Sequence, residues 1–164
     1  MPNHCHNRVT IWPDNDTDAA RDQVAKLKQI FEDENCFTQI IPEPDWLNIP
    51  LMSSDMPKYD WDKARGKVGE LPIMQTDRFG EVRRFQSTGH LDDRWYDWRL
   101  QNWDTKWDAY DVEVTDDDPD NLEIQFNTAW SPPEAICHAL REQYPDVSVS
   151  WFYDEPGCEI AGYL

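Results

Sequence analysis

The chain has 164 residues, of which 39% are hydrophobic and 13% aromatic, which is enough for one packed domain. Its formal net charge of −18 opposes binding to nucleic acid and to anionic membranes. It has no apolar run of transmembrane length, and its first residues lack an apolar signal core. We therefore expect a single cytoplasmic domain over residues 1–164.

The first elements are a strand and an amphipathic helix. Residues 5–12 are rich in β-branched and aromatic side chains, which favours a strand. Asp16, Thr17 or Asp18 can start a helix that runs over residues 18–34. Its apolar stripe is formed by Ala20, Val24, Leu27 and Phe31.

Prolines dominate the next part of the chain. Residues 37–41 are predicted to be a short extended piece that ends at Pro42. Residues 42–90 are predicted to be an irregular insertion over one edge of a sheet, with a short helix at 58–67. This stretch collects seven basic residues, which are Lys58, Lys63, Arg65, Lys67, Arg78, Arg83 and Arg84.

Four of the nine tryptophans fall in residues 95–110. Trp95 and Trp98 are three positions apart, so they share a face if the segment is helical. We predict a helix that begins at Asp92 or Asp93, ends near Trp103 and turns directly into a strand. Such a helix would place its tryptophans against the core.

An antiparallel hairpin is predicted from two alternating segments, residues 106–115 and 122–130. The acidic stretch 116–121 between them is predicted to be the turn. Leu122, Ile124 and Phe126 are expected to point inward, with Glu123, Gln125 and Asn127 outward. In the first strand we expect one face to hold Tyr110, Val112 and Val114 and the other to hold Asp111 and Glu113.

The last part of the chain is predicted to be a helix followed by two strands. Ser131 can cap the helix, and Glu134 can close a capping box before a stripe that reaches Tyr144. Strands are predicted at 147–154 and 158–163. Without the insertion and the Trp helix, the order is βαββαβ, which is typical of a ferredoxin-like α+β fold with an antiparallel sheet.

Five segments in order resemble the YubB-type ferredoxin-like domain, a family of phage and plasmid proteins of unknown function. They are the opening Met1 to Ile11, the run Phe37 to Pro42, the run Trp98 to Tyr110, the run Phe126 to Pro133, and the closing Tyr153-x-Glu155-x-Gly157. The resemblance implies the ferredoxin-like fold and a viral or mobile-element setting. It implies no catalytic residues.

Two residues depart from what the resemblance leads us to expect. His4 stands at a position where tryptophan is usual, and Asp104 at a position where glycine is usual. Aspartate is among the residues that tolerate a positive φ best. If the glycine serves a positive φ, we expect the corner after the Trp helix to survive in this chain.

The negative charge is concentrated in the second half of the chain. Residues 91–164 hold 18 Asp and Glu against 4 Lys and Arg, and from Trp107 onward Arg141 is the only basic residue. Solubility alone can account for this charge. A binding face for a basic protein is the functional interpretation, and its predicted residues are Asp111, Glu113, Asp116, Asp117, Asp118, Asp120 and Glu123.

The residues do not favour an enzyme. The acids from Asp116 onward start like a calcium loop, but the positions that need Gly and Glu hold Asn121 and Asn127. The cysteines Cys5, Cys36, Cys137 and Cys158 form no Cys-x-x-Cys pair, so we expect reduced thiols, no metal and no cofactor. No Gly-rich phosphate loop or nucleophile elbow is present.

We therefore expect a phage accessory protein that binds a host protein with a basic surface. Alternate residues along a strand are spaced about 6.8 Å apart, a scale similar to that of phosphates along nucleic acid. The acidic face could thus imitate DNA or RNA and inhibit host defence or metabolism. Two alternatives stay open. One is a self-assembling scaffold or homodimer joined through the basic 58–84 stretch, and the other is a small-ligand binder with a pocket lined by Trp98, Trp103 or Trp130.

Overall fold

The computed structural model describes residues 3–46, 73–76, 82–85 and 93–164, with backbone only for the two short middle segments. The chain divides into two compact units, residues 1–42 with 99–164, and residues 43–98. The predicted insertion falls almost entirely in the second unit, and the helix predicted at 58–67 lies outside the described residues. The prediction of a single domain stays a prediction.

The described elements alternate between strands and helices. In chain order they are β1 (His4–Pro13), α1 (Asp18–Glu32), α2 (Cys36–Ile40), β2 (Ile73–Thr76), β3 (Val82–Phe85), α3 (Arg94–Asn102), β4 (Tyr110–Asp118), β5 (Asn121–Ala129), α4 (Glu134–Gln143), β6 (Val147–Glu155) and β7 (Ile160–Tyr163).

The first unit contains a five-stranded sheet in the order β4-β5-β1-β6-β7. Every neighbouring pair is antiparallel. The crossover β1-α1-β4 leaves room for β5, and the crossover β5-α4-β6 leaves room for β1. These two interleaved units are the ferredoxin-like arrangement, so the predicted α+β class is confirmed. The last strand, β7, extends the sheet beyond β6.

Helices α1 and α4 cover one face of this sheet because each presents one apolar stripe. Thr17 caps α1 by accepting a hydrogen bond from the Ala20 backbone N–H, as the start signal predicts. Beneath the helices, Phe126 of β5 contacts Phe31 and Trp151 at ring distances of 5.5 Å each. Each such aromatic pair adds about 0.5–1.5 kcal/mol beyond simple burial.

The segment at residues 37–41, predicted to be extended, is instead the short helix α2. Cys36, Phe37 and Ile40 are its buried side chains. The carboxylate of Asp108 accepts a hydrogen bond from the Phe37 backbone N–H at 3.0 Å. This partner lies 71 residues away in sequence, so the local pattern could not indicate it.

Three further predictions are wrong in part. Strand β4 begins at Tyr110 rather than following the Trp helix directly, because residues 103–109 form a corner. It continues through Asp118, so only Pro119 and Asp120 separate β4 from β5. Ser131 does not cap α4, because the helix has Pro133 at its N-cap position and the Ala135 N–H donates to the Asp104 carboxylate instead.

The second unit contains a hairpin where only irregular structure was predicted. Strands β2 and β3 pair antiparallel from Ile73 opposite Phe85 to Thr76 opposite Val82. This ladder pairs the backbone N–H and C=O groups of the two segments. In the same unit, the Arg94 guanidinium lies 5.4 Å from the centre of the Trp46 ring and donates to the Trp46 carbonyl at 2.9 Å.

Candidate functional site

One face of the sheet carries the polar side chains of the central strands. Along β1 the exposed residues His4, His6 and Arg8 alternate with buried ones. The register places His6 opposite Asn127 and Arg8 opposite Gln125. These side chains therefore lie on the face opposite the helices, which we call the open face. The predicted inward and outward residues of β5 are confirmed.

Edge strand β4 adds carboxylates to the open face. Glu113 pairs with Gln125, and Asp116 pairs with Glu123. Cross-strand partners project to the same face. Glu113, Asp116 and Glu123 therefore share the open face, as the sequence predicts.

Two register shifts divide β4, between Tyr110 and Glu113 and again between Val114 and Asp116. The first coincides with Asp111, whose φ is 53°. Such bulges change the face to which the following side chains point. Tyr110 consequently pairs with Asn127 on the open face, so the prediction that it shares a face with Val112 and Val114 is wrong.

Two of the predicted binding residues are paired with cations of helix α1. The Lys28 ammonium lies 2.5 Å from a carboxylate oxygen of Asp117, and the Arg21 guanidinium lies 2.8 Å from Asp120. The hydrogen bonds that Lys28 and Arg21 donate to these carboxylates raise the pKa of both cations. Asp117 pairs with Leu122, which is buried on the helix side, so this acid points away from the open face.

Three other acids of the predicted set have neutral partners. Asp118 accepts from the Asp120 backbone N–H at 2.9 Å and so stabilises the turn. Asp116 accepts from the Asn121 amide at 2.7 Å. Glu123 accepts from the Thr115 hydroxyl at 3.0 Å.

Two successive hydrogen bonds run across the open face from His6 to Asp111. His6 Nδ1 donates to Asn127 Oδ1 at 2.6 Å, and the Asn127 amide donates to Asp111 at 3.2 Å. These three residues with Glu113 and Gln125 border a depression of about 220 Å³. A pocket for a drug-sized ligand occupies roughly 300–1,000 Å³, so the depression is too small to enclose one.

The predicted ligand pocket included three tryptophans with different environments. Trp103 is completely buried, and its indole N–H donates to the Ile41 carbonyl at 3.1 Å. Trp130 is 60% exposed at the surface. Trp98 belongs to the second unit. Trp103 is therefore a core residue, and only Trp130 presents most of its ring to solvent.

An exposed group of aromatic residues was predicted only in part, since the sequence analysis named Trp130 and missed Trp107 and Lys106 beside it. Trp107 and Trp130 flank the Lys106 ammonium, and Trp107 contacts Tyr110 at a ring distance of 6.2 Å. Tyr110 in turn is hydrogen-bonded to His4. The density of Trp after residue 94 was the available signal, but it was assigned to the core because rings are usually buried.

The first and last motifs of the resemblance meet where β1 begins and β6 ends. A Cβ on Gly157 would come within 2.5 Å of the Asn3 side-chain nitrogen and 2.8 Å of Glu155. The Trp151 indole donates to the buried Asn7 side chain at 3.0 Å, which itself donates to the Thr128 hydroxyl at 2.9 Å. These contacts satisfy buried polar groups and hold the central strands together.

The four cysteines are free, and only Cys158 is exposed. Burial raises the pKa of Cys5 to about 11, and it also raises the pKa of Cys36 and of Cys137. These three thiols are thus protonated at neutral pH and poorly nucleophilic. Among the described residues, no group of three or more His, Cys, Asp and Glu side chains has a metal-binding arrangement.

No helix of the described residues is long and apolar enough to cross a membrane. The fold and the open face define the chain as a ferredoxin-like α+β domain with an acidic edge. Residues 102–164 match a family model described as a ferredoxin-like domain in Api92-like protein. This match covers 63 of the 164 residues and includes the acidic edge and strands β4 to β7.

Among solved structures, the chain is similar to the protein api92 from Yersinia pseudotuberculosis. The two share 11% identity with a TM-score of 0.47, over 99% of this chain and 93% of that one. No curated protein matches the chain.

Proposed function

We propose that the chain is a non-enzymatic protein-binding domain that docks its acidic edge on a basic surface of a host protein. The observation that carries the proposal concerns Glu113, Asp116 and Glu123. In the described part of the chain, the ion pairs of α1 engage Asp117 and Asp120, whereas no Lys or Arg pairs with these three acids. A cationic partner would relieve the repulsion among them.

The resemblance to phage and plasmid proteins supports a host protein as the partner. In this proposal the chain acts in the cytoplasm of a bacterial host as an accessory protein. Its partner would carry a basic groove or patch that normally contacts an anion. Occupation of that surface would inhibit the partner.

Nucleic-acid mimicry is a specific form of this proposal. The two register shifts interrupt the regular spacing of carboxylates along β4. The acids therefore form a compact charged patch rather than a straight row with a constant repeat. Mimicry would then consist in matching the charge of nucleic acid and would not require the spacing of its phosphates.

A capture experiment from host lysate tests the proposal. The immobilised chain should retain a basic protein at low salt and release it at high salt, because exposed charge pairs are screened. A variant with Glu113→Lys, Asp116→Lys and Glu123→Lys should capture at least about tenfold less of that protein, since like charges then face each other. Release by duplex DNA would show that the partner uses its nucleic-acid surface.

A matched control separates the local surface from the total charge. The exposed acids Asp22, Glu34 and Glu142 lie away from the open face, and their replacement by lysine changes the net charge equally. This control should retain the partner. Equal loss in both triple variants, or capture that is indifferent to salt, would count against the proposal.

One observation favours self-association as a second candidate function. Strand β7 forms an edge of the sheet and carries no charged residue, with Ile160 52% and Tyr163 70% exposed. Edge strands normally carry charges or bulges that prevent pairing. Light scattering over a range of protein concentrations tests pairing of two copies through β7, and Tyr163→Lys should abolish any dimer. The basic 58–84 stretch lies mostly outside the described residues.

A further inference from the structure

Lys106 lies between two exposed tryptophans. Its ammonium is 4.3 Å from the centre of the Trp107 ring and 5.1 Å from the centre of the Trp130 ring. Both distances fall within the range in which a ring face attracts a cation. The rings are 38% and 60% exposed, so a ligand from solvent can reach them.

The backbone holds Trp130 in an unfavourable conformation that displays its ring. Its φ is 80°, which is rare and strained for a bulky side chain. The neighbouring contacts fix this geometry, because the Trp130 N–H donates to the Asn3 carbonyl at 3.0 Å and the Ser131 hydroxyl donates to the Asp104 carbonyl. Glycine would adopt the same φ without strain, so the backbone of the turn does not require a tryptophan.

The tryptophan pair is continuous with the acidic edge of the sheet. Trp107 contacts Tyr110, and Tyr110 is followed by Asp111, which accepts a hydrogen bond from Asn127 on the open face. A basic segment lying along the acids of β4 would therefore reach the rings. The charge of this surface favours a cationic occupant and opposes an anionic one.

We infer that Trp107 and Trp130 form a cation-binding aromatic site that receives a lysine or arginine side chain of the partner protein. Lys106 occupies this site in the free chain and leaves it for solvent when the partner's cation arrives. The inference rests on the proposed function for the nature of the partner. Tryptophan is enriched among the residues that dominate binding energy at interfaces, in keeping with such a role.

The first test does not depend on any partner. Tetramethylammonium chloride is titrated into the ¹⁵N-labelled chain while the indole N–H signals are followed by NMR. The signals of Trp107 and Trp130 should shift together and saturate. Neopentyl alcohol, a neutral molecule of similar shape, should produce no saturable shift, because it has no charge for the ring faces to attract.

The second test uses a short oligolysine peptide and its Nε-acetylated form. Only the charged peptide should bind, and Trp130→Ala should lower its affinity about two- to fivefold, the effect expected of an exposed cation–π contact. Tyr163→Ala is the control, because Tyr163 is 70% exposed on β7, at the edge of the sheet opposite β4. This control should leave the affinity unchanged.

Removal of the Lys106 ammonium, which occupies the site in the free chain, gives the most specific result. Lys106→Ala should raise the affinity for the charged peptide about two- to fivefold, because the competing ammonium is gone. Lys26→Ala is the charge-matched control, since Lys26 stacks on Tyr144 of a different surface. The control should raise the affinity much less.

The outcomes separate the inference from the proposed function. The inference is overturned if tetramethylammonium leaves both indole signals unmoved, or if Lys106→Ala and Lys26→Ala behave alike. In that event the charged peptide could still bind through the open-face acids, and the proposed function would stand. Conversely, saturable indole shifts in a chain that captures no basic host protein would support the cation site and contradict the proposed function.

Discussion

The carboxylate of Asp104 accepts a hydrogen bond from the Ala135 backbone N–H at 2.8 Å, so a residue 31 positions away caps helix α4. Pro133, at the N-cap position, makes no side-chain cap. Asp104 also has a φ of 63°. The expectation that aspartate serves a position with positive φ is therefore confirmed, and the same side chain gains a second role as a cap.

Substitutions at Asp104 should separate these two roles. Asp104→Gly keeps the favourable φ and loses only the cap, which costs about 1 kcal/mol. Asp104→Ala loses the cap and also forces a Cβ into the left-handed region, for a total of about 2 kcal/mol. Asp104→Asn should be close to wild type. Urea denaturation, followed by circular dichroism, measures the free energies of unfolding of the three variants. Equal stability of the Gly and Ala variants would contradict the expected order.

The strain at Trp130 should be visible as a difference between two truncated variants. Trp130→Gly and Trp130→Ala both remove the ring, but only glycine adopts a φ of 80° without cost. We expect the Gly variant to be more stable than the Ala variant by about 1 kcal/mol. Thermal and urea unfolding of the pair check this value. An Ala variant as stable as the Gly variant would show that the backbone relaxes.

Alkaline pH should destabilise the fold through Cys5. Burial raises the pKa of this thiol to about 11 from its ordinary 9.0, with a further contribution from Glu155 and an opposing hydrogen bond from Thr128. The folded state binds the Cys5 thiol proton more tightly than the unfolded state does. The stabilisation by Cys5 is therefore fully present below pH 9 and is lost as the pH rises toward 11. The free energy of unfolding should fall by up to about 1.4 kcal/mol per pH unit in this window.

The contribution of Cys5 is isolated by comparing how steeply the free energy of unfolding falls with pH in wild type and in a variant. In Cys5→Ala, the free energy of unfolding should fall less steeply between pH 9 and 11 than in wild type. The slope does not vanish, because the pKa values of Cys36 and Cys137 are also raised. Identical slopes in wild type and variant would exclude Cys5 as a source of alkaline sensitivity.

Thiol reagents should distinguish Cys158 from the other cysteines. The native chain should react with one equivalent of Ellman's reagent and the unfolded chain with four, because three thiols are buried. The hydrogen bond between Cys158 and the Glu155 carboxylate raises the pKa of Cys158 and slows its reaction. Glu155→Gln should therefore accelerate the native reaction at pH 8, and Cys158→Ser should abolish it.

Local periodicity was sufficient to predict most of the sheet. The alternation of Leu122, Ile124 and Phe126 with polar residues identified both the strand and its buried face. The stripe of α1 was equally clear, because residues on one face of a helix recur at a fixed spacing. Helix α2 was missed since five residues contain too little periodicity and its cap comes from Asp108, far along the chain.

The sequence predicted which acidic residues belong to the candidate site, but not how they are arranged on the sheet. The run of acids identified β4 and its turn as negatively charged, and the structure divides that set between two faces. Lys28 and Arg21 lie on a helix 89 and 99 residues before their partners, so no local pattern could show that they pair with Asp117 and Asp120. The bulge at Asp111 depends on the register with β5, which a single strand does not reveal.

The amino-acid sequence by itself determined the class of fold and the acidic character of its second half, because periodicity and charge are properties of neighbouring residues. Only the tertiary structure decided which carboxylates lack a cationic partner among the described residues, which aspartates cap distant helices, and that Trp130 displays its ring beside Lys106. Each of these depends on groups brought together by chain folding, at separations where sequence patterns carry no information.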